Sequence, residues 1–466
     1  MRGYSNWNYR PYSRLNQLEK RLQPYICRLA PGHDVINLEW LDNGSNSGHT
    51  LQIRIRSTQI WTDIPLDTAA TTVKGLQPDQ DYELRVIRND DGIESDVRLA
   101  RTGDYVGIPV NYLHPEDDAF AFSGHSLCSP SLVKLPSGAL LASMDVFSGH
   151  AAQNLTFIFR SDDGGITWRY VTELFPCFWG KLFWHQGALY MLANTTEYGN
   201  LVIGKSSNEG VTWTAPVTIL PGAGPEDQGP HKAPMPIVQC EHLLCTAIDY
   251  GSWSSGGHAN GLLSIDIDAD LLVATNWRCT PFLRYNPQWE GAAIGESRGA
   301  LEGNAVVGPD GELLNVLRYQ IVGCTPAHGK ALILRGNIQD PEAPLRFGWF
   351  ADFNGGSNSK YDLLYDAPSK AYWAIVSEIV DEKFPAARNV LSLAVSRDLH
   401  TFDNVCRLLD YRHTDPALVG FQYVSFLIDG DDMLFLCRTG INNARNMHDA
   451  NTSTFHRISR FRQYLK

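Results

Sequence analysis

No stretch of about 18 apolar residues occurs in the 466-residue chain, which argues against a membrane-spanning helix. The opening MRGYSNWNYRPYSRLNQLEK has no apolar segment of the kind found in a secretory leader, so a cytoplasmic protein is expected. Metal-binding cysteine spacing is missing too. The nine cysteines include no CxxC, and Cys240 and Cys245, the nearest pair, have no neighbours that would complete a ligand set. Buried free thiols are expected rather than disulfides. Nor is there an excess of positive charge. A net charge of −12 argues against nucleic acid or a membrane surface as partner, while permitting a local cationic pocket. What is present in quantity is 40 glycines, 25 prolines and 12 tryptophans, the composition of an all-β chain with many turns. Its length is too great for one core and implies more than one domain.

Residues 1–33 read as an N-terminal extension with weak helical character around Arg14–Leu22. From 34 to 103 short strands alternate: VINLEW, LQIRIRS, IWTDI, YELRVIR and DVRLART. Within this stretch GLQPDQDYELRV, with Leu76, Pro78 and Tyr82, and Trp40 at the position of a core tryptophan, resembles a fibronectin type III module. Any small β-sandwich would read alike, and a spacer or docking role follows in both cases. After a linker at Gly103–Pro115 the period changes. Over 104–466 a unit of an apolar strand, a Gly or Asp turn and a second apolar strand recurs roughly every 45–55 residues, the signature of a β-propeller. The units open at SPSLVKLPSGALLASM, WGKLFWHQGALYML, KAPMPIVQCEHLLCTA, EGNAVVGPDGELLNVL, KYDLLYDAPSKAYWAI and FQYVSFLIDGDDMLFL. The expectation is six blades, or seven if the segment before Ser129 adds a blade with the C-terminal strand.

Two units carry a further motif. SDDGGITW, from Ser161 to Trp168, and SSNEGVTW, from Ser206 to Trp213, match the Asp-box S-x-D-x-G-x-T-W, the second with Asn for Asp. SRDLHTF, from Ser396 to Phe402, is a worn copy one residue short. The Asp or Asn caps local N–H groups, the Gly takes a positive φ and the Trp packs between sheets. The role is structural, so no Asp-box aspartate is assigned to chemistry.

In a propeller, the starts of first strands and the ends of second strands ring one mouth, with the Asp-box turns on the opposite face. The starts offer His125 with Ser126, Trp179, His231, Glu302 with Asn304, Lys360, and Gln422 with Tyr423. The ends offer His150, Tyr250, Arg318 with Tyr319, Glu378 and Arg438. Polar and aromatic residues at nearly every position favour a pocket over a solvated rim. Arg318 and Arg438 suit a sugar carboxylate, which guanidinium grips with two parallel hydrogen bonds. His448, in the turn-forming HDAN run before the last strand, is either a pocket wall or part of an ordinary closing loop.

The Asp-boxes, with LEGNAVVGPDGELLNVLR and GFQYVSFLIDGDDMLFLCR, resemble the sialidase superfamily over roughly residues 120–466. The resemblance implies Glu302 and Arg318 as a carboxylate-site pair, Tyr423 as nucleophile and Arg438 as another carboxylate-binding arginine. Two features depart from it. SGHSLCSP stands where an R-I-P entry is expected, and the acid/base aspartate has only Asp145 as a substitute. These departures, with EGN, DADLLVATNW, GFQYV and the terminal HDAN, resemble a divergent branch associated with exo-acting L-rhamnose-α-1,4-D-glucuronate lyases. That branch implies a histidine base, His125 or His150, acting with Glu302 and Tyr423. Trp179, His231, Asn304, Arg318, Gln422, Arg438 and His448 then hold an acidic oligosaccharide. A sialidase-like hydrolase and a non-catalytic sugar-binding propeller are the alternatives. An axial structural calcium is conceivable but has no ligand motif.

Overall fold

The computed structural model describes Trp7 and residues 23–42, 48–356 and 358–465. Two sheets come first. One orders Tyr25–Pro31, Val35–Leu41 and Ala70–Lys74, and the other orders Thr62–Leu66, His49–Ile55, Asp81–Arg88 and Arg98–Arg101. Burial alternates strictly along Val35–Leu41 and Asp81–Arg88, because every second residue points between the sheets. Ile36, Leu38 and Trp40 there meet Leu51, Ile53, Leu84 and Val86 in one core. The Tyr82 hydroxyl accepts from the Gln77 amide at 2.8 Å and fixes the corner before its strand. Tyr25–Pro31, which the sequence reading assigned to the extension, is instead a strand paired to Val35–Leu41. Its YICRLAP is buried throughout, so no alternation marks it in the sequence. The helical expectation at Arg14–Leu22 lies outside the described residues. Trp7, further upstream, is buried edge-on against Trp213 at 6.1 Å and donates to the Pro176 carbonyl at 2.9 Å.

The remaining strands form consecutive antiparallel sheets, four strand positions deep, with inner strands at Ser126–Lys134, Phe178–His185, Gly229–His231 followed by Val238–Cys240, Gly299–Val307, Asp362–Asp366 and Gly420–Asp429. They are numbered first to sixth below. The fourth and fifth join at their outer edges through a short parallel pairing of Asp352–Phe353 with Thr401–Phe402. Each sheet shares a hydrophobic cluster with the next. Leu141 meets Trp213 between the first and second, and Tyr190 meets Leu263 between the second and third. Leu262 and Leu317, Leu314 and Tyr372, and Trp373 and Phe435 continue the series. Leu132 and Leu436 then join the sixth sheet back to the first, so the sheets close into a propeller-like ring. The segment before Ser129 contributes Ile108–Tyr112, which pairs with Thr452–Phe455 as the fourth strand of the sixth sheet. This latch bonds the two ends of the ring to each other.

The Asp-box residues build the expected turns. Asp163 accepts from the Thr167 amide at 2.9 Å, Ser161 accepts from Gly165 N at 2.8 Å, and the Trp168 indole donates to Gly165 O at 3.0 Å. Ser206, Asn208, Gly210 and Trp213 repeat the pattern. Ser161 pairs with Leu140, at the end of the sheet opposite the Ser126–Phe147 pair. The turns therefore lie on the far face from the first-strand starts. All nine cysteines are free thiols, and no helix of the described residues is long and apolar enough to cross a membrane.

Candidate active site

The mouth is shaped by one repeated backbone device. Four inner strands carry a register shift near their first residues, and at each shift one residue takes a positive φ: Ser129 (48°), Trp179 (54°), Glu302 (54°) and Tyr423 (52°). Such a bulge turns a side chain that would otherwise alternate into the sheet contact. Trp179, Glu302 and Tyr423 are the residues it presents.

Glu302 and Tyr423 meet through Arg318, whose Nη1 lies 2.6 Å from the Glu302 carboxylate and 3.2 Å from the Tyr423 oxygen. Burial alone would raise the Glu302 carboxyl, but Arg318, His231 and the Tyr423 hydroxyl hold it below its ordinary value. Burial and Glu302 push the Tyr423 phenol up, against the pull of three arginines. Those arginines are Arg318, Arg438 and Arg388, the last of which the sequence reading missed. The guanidinium carbons of Arg388 and Arg438 lie 5.8 and 5.3 Å from the Tyr423 ring. All three are buried, and each has an Nε without a hydrogen-bond partner. Burial, with Arg318 and Arg438 alongside, brings Arg388 down to about 10.

A second group adjoins the first through Asp249. His231 Nδ1 lies 3.2 Å from Asp249, whose carboxylate also accepts from the Glu302 amide at 2.7 Å and from Asn260 at 2.8 Å. The same carboxylate thus orients the histidine and fixes the Glu302 bulge. His231 packs on Trp179 at 4.3 Å and on His258 at 4.8 Å. His258 contacts the Tyr198 hydroxyl at 3.3 Å, and burial, then His231 and Arg318, push it down to about 2, so it stays neutral. Half-buried Glu197 bonds Gln153 at 3.1 Å and feels the charge of His231, and burial raises its carboxyl.

Other expected site residues have different duties. Asn304 accepts from the Leu363 amide at 2.9 Å and donates to the Tyr361 carbonyl at 3.1 Å, tying the fourth sheet to the fifth. Gln422 donates to the Met447 carbonyl at 2.6 Å and accepts from Arg388, so it positions that arginine. Glu378 is spent on Ser392 and Arg407, and the Tyr319 hydroxyl on Tyr285. Asp145 is fully buried, accepting from Thr156 and the Trp179 amide at 2.5 and 2.7 Å. Burial raises its carboxyl to about 8, and it has no exposed surface, with both oxygens bonded inside the sheet. His125 is half-buried and makes no side-chain hydrogen bond from Nδ1. His150 is exposed at φ 77° on the next loop, and no hydrogen bond or ring contact links it to the cluster. His448 borders the site, where its carbonyl accepts from Arg438 at 2.5 Å and its Nδ1 lies 2.9 Å from Asp449. Among the described residues no group of three His, Cys, Asp or Glu side chains gathers as a metal site.

No protein-family model and no curated protein matches the chain. Several solved structures resemble it at low identity. The Hadza microbial sialidase Hz136 is 13% identical with a TM-score of 0.48, covering 94% of this chain and 95% of its own. A Penicillium chrysogenum α-L-arabinanase complexed with arabinobiose is 13% identical with a TM-score of 0.46, over 76% and 98%. The intramolecular trans-sialidase from Ruminococcus gnavus, in complex with oseltamivir carboxylate, is 12% identical with a TM-score of 0.48, over 77% and 98%.

Proposed function

We propose that this protein is a carbohydrate-cleaving enzyme that takes a terminal acidic sugar into the mouth of a six-bladed propeller. A fibronectin type III-like module, beginning at Tyr25, buttresses the ring. The observation that carries this reading is the convergence of Arg318, Arg388 and Arg438 on Tyr423, with the Glu302 carboxylate bonded to Arg318. Buried guanidinium groups need counter-charge and planar acceptors, and a sugar carboxylate supplies both.

The reaction assigned is exo-acting elimination at a uronate, of the rhamnose-glucuronate type. Arginines neutralising the carboxylate acidify the proton on its α carbon. His231, held by Asp249, is the base in this scheme, in place of His125 or His150, and the Tyr423 hydroxyl protonates the leaving oxygen. Sialidase-like hydrolysis is the second reading, favoured by the Tyr423–Arg318–Glu302 contact. There Glu302 takes the phenol proton, Tyr423 attacks the anomeric carbon, and Glu197 serves as the acid. A panel of uronate- and sialate-terminated oligosaccharides decides between them. A new ultraviolet-absorbing double bond in the product, abolished in His231→Ala, supports elimination. Incorporation of solvent oxygen without that absorbance supports hydrolysis, and binding without turnover overturns both. We place the enzyme in the cytoplasm, finishing imported oligosaccharides, and recovery of the native protein from a secreted fraction would overturn that placement.

A further inference from the structure

Beneath the mouth the axis of the ring is lined with ammonium groups. Lys181 lies two residues beyond Trp179 on its inner strand, Lys232 follows His231, and Lys360 precedes the inner strand of the fifth sheet. None reaches solvent to any extent: their exposures are 6%, 1% and 1%. Few protein acceptors face them. Lys181 Nζ donates to Ser425 Oγ at 3.1 Å and stands 3.9 Å from Asp362 Oδ2. Lys360 Nζ bonds Asp362 Oδ1 at 2.5 Å and donates to the Val424 carbonyl at 3.0 Å. Lys232 Nζ donates to the Ala233 carbonyl alone, at 3.0 Å. Three ammoniums carry roughly twice as many N–H donors as these acceptors satisfy, although buried donors are almost always paired.

The charges are equally out of balance. Asp362 is the carboxylate shared by Lys181 and Lys360, and its Oδ2 accepts no hydrogen bond. Asp249, the other acid within Coulombic range of Lys232, is committed to His231, Asn260 and the Glu302 amide. Burial, followed by the repulsion of Lys181 and Lys360, brings Lys232 down to about 7, and burial brings Lys181 to about 8. The same charges oppose a divalent cation here, so the axial calcium left open by the sequence is disfavoured at this level.

We propose that Lys232, Lys181 and Lys360 form a buried binding site for a small inorganic anion such as chloride, below and distinct from the sugar pocket. The anion supplies the missing acceptors and offsets the excess charge, which keeps Lys232 protonated beneath His231. A halide suits the site because it accepts from several directions without the geometric demands of a carboxylate. The ammoniums arrive from three different sheets.

The test is anomalous diffraction from crystals of the full chain soaked in bromide. Alongside it, thermal unfolding is measured at constant ionic strength in bromide, chloride and gluconate. The expected result is a bromide peak within hydrogen-bond reach of Lys232 Nζ. A melting temperature several degrees higher in halide than in gluconate should accompany it, and that gap should close in Lys232→Met. Lys181→Met serves as the second variant should the first fold poorly. Halide peaks confined to the arginine cluster or the surface, or an equal gap in wild type and variant, would overturn the site. Neither readout depends on the reaction proposed above.

Discussion

Glu302 and Tyr423 stand on different inner strands and meet on one guanidinium, 2.6 Å and 3.2 Å from Arg318 Nη1. The carboxylate has two tasks there, since it balances a buried cation and sets the proton affinity of the phenol. Glu302→Gln keeps the shape and removes the charge. Turnover on the acidic sugar proposed as substrate should fall by about 100-fold or more. The melting temperature should fall as well, because one partner of a buried ion pair is left alone. Tyr423→Phe should lower turnover similarly while leaving Arg318 paired and the melting temperature nearly unchanged. Parallel kinetics and calorimetry on the two variants check both statements.

Arg388 enters the site from the loop before Val390–Ser396 and is held by Gln422. If it grips the substrate carboxylate, Arg388→Lys keeps the charge but loses the two-pronged geometry. An increase in KM of about 10-fold or more is expected, with a smaller change in kcat. The methyl ester of the same sugar should bind the variant and the parent equally weakly. Equal KM values for the acid in parent and variant would remove Arg388 from the carboxylate site.

The residues legible in the sequence share a reason. Trp179, Glu302, Arg318, Tyr423 and Arg438 sit at first-strand starts or second-strand ends, which recur with the repeat and can be found by counting. Arg388, Glu197 and Tyr198 come from the connections between second and third strands, which reach the same face but vary in length, and His258 stands at the start of a third strand. Their positions do not recur with the repeat, so counting along the sequence does not find them. Asn304 lies two positions beyond the Glu302 bulge, where the side chain returns to the sheet contact. Its bond to the Leu363 amide has counterparts in Ser131 with Leu182 and Ser425 with Leu132. A polar residue at this level is an inter-sheet tie, and only the register tells it from a mouth residue.

The worn Asp-box shows how the fold replaces a lost side chain. Leu399 takes φ 63° where the intact boxes have glycine, and no tryptophan of its own follows. The indole of Trp349, from the neighbouring sheet, donates to the Leu399 carbonyl at 3.0 Å, the bond that Trp168 makes to Gly165. Trp349→Phe keeps the stacking on His400 and loses this bond. It should cost about 1 kcal/mol in denaturant unfolding, with kcat and KM unchanged, since the turn is on the face away from the mouth.

The axial lysines give stability a pH dependence whose sign follows from burial. In the folded chain Lys232 is brought down to about 7, from 10.5 for an ordinary lysine. Between those values the unfolded chain holds a proton that the folded chain has released, so stability rises with pH across that window. Below about 7 both states are protonated and the cost of the buried cation is present in full. Lys181, brought to about 8, adds a slope of the same sign from there upward. Lys232→Met removes its own share, so the stability of wild type relative to the variant should climb as the pH is raised from neutral toward 10 in gluconate buffer. Saturating chloride should flatten that climb, because an anion beside the ammonium restores its proton affinity. Equilibrium unfolding in urea at stepped pH reads both effects, and parallel curves for wild type and variant in gluconate would mean that Lys232 stays protonated throughout.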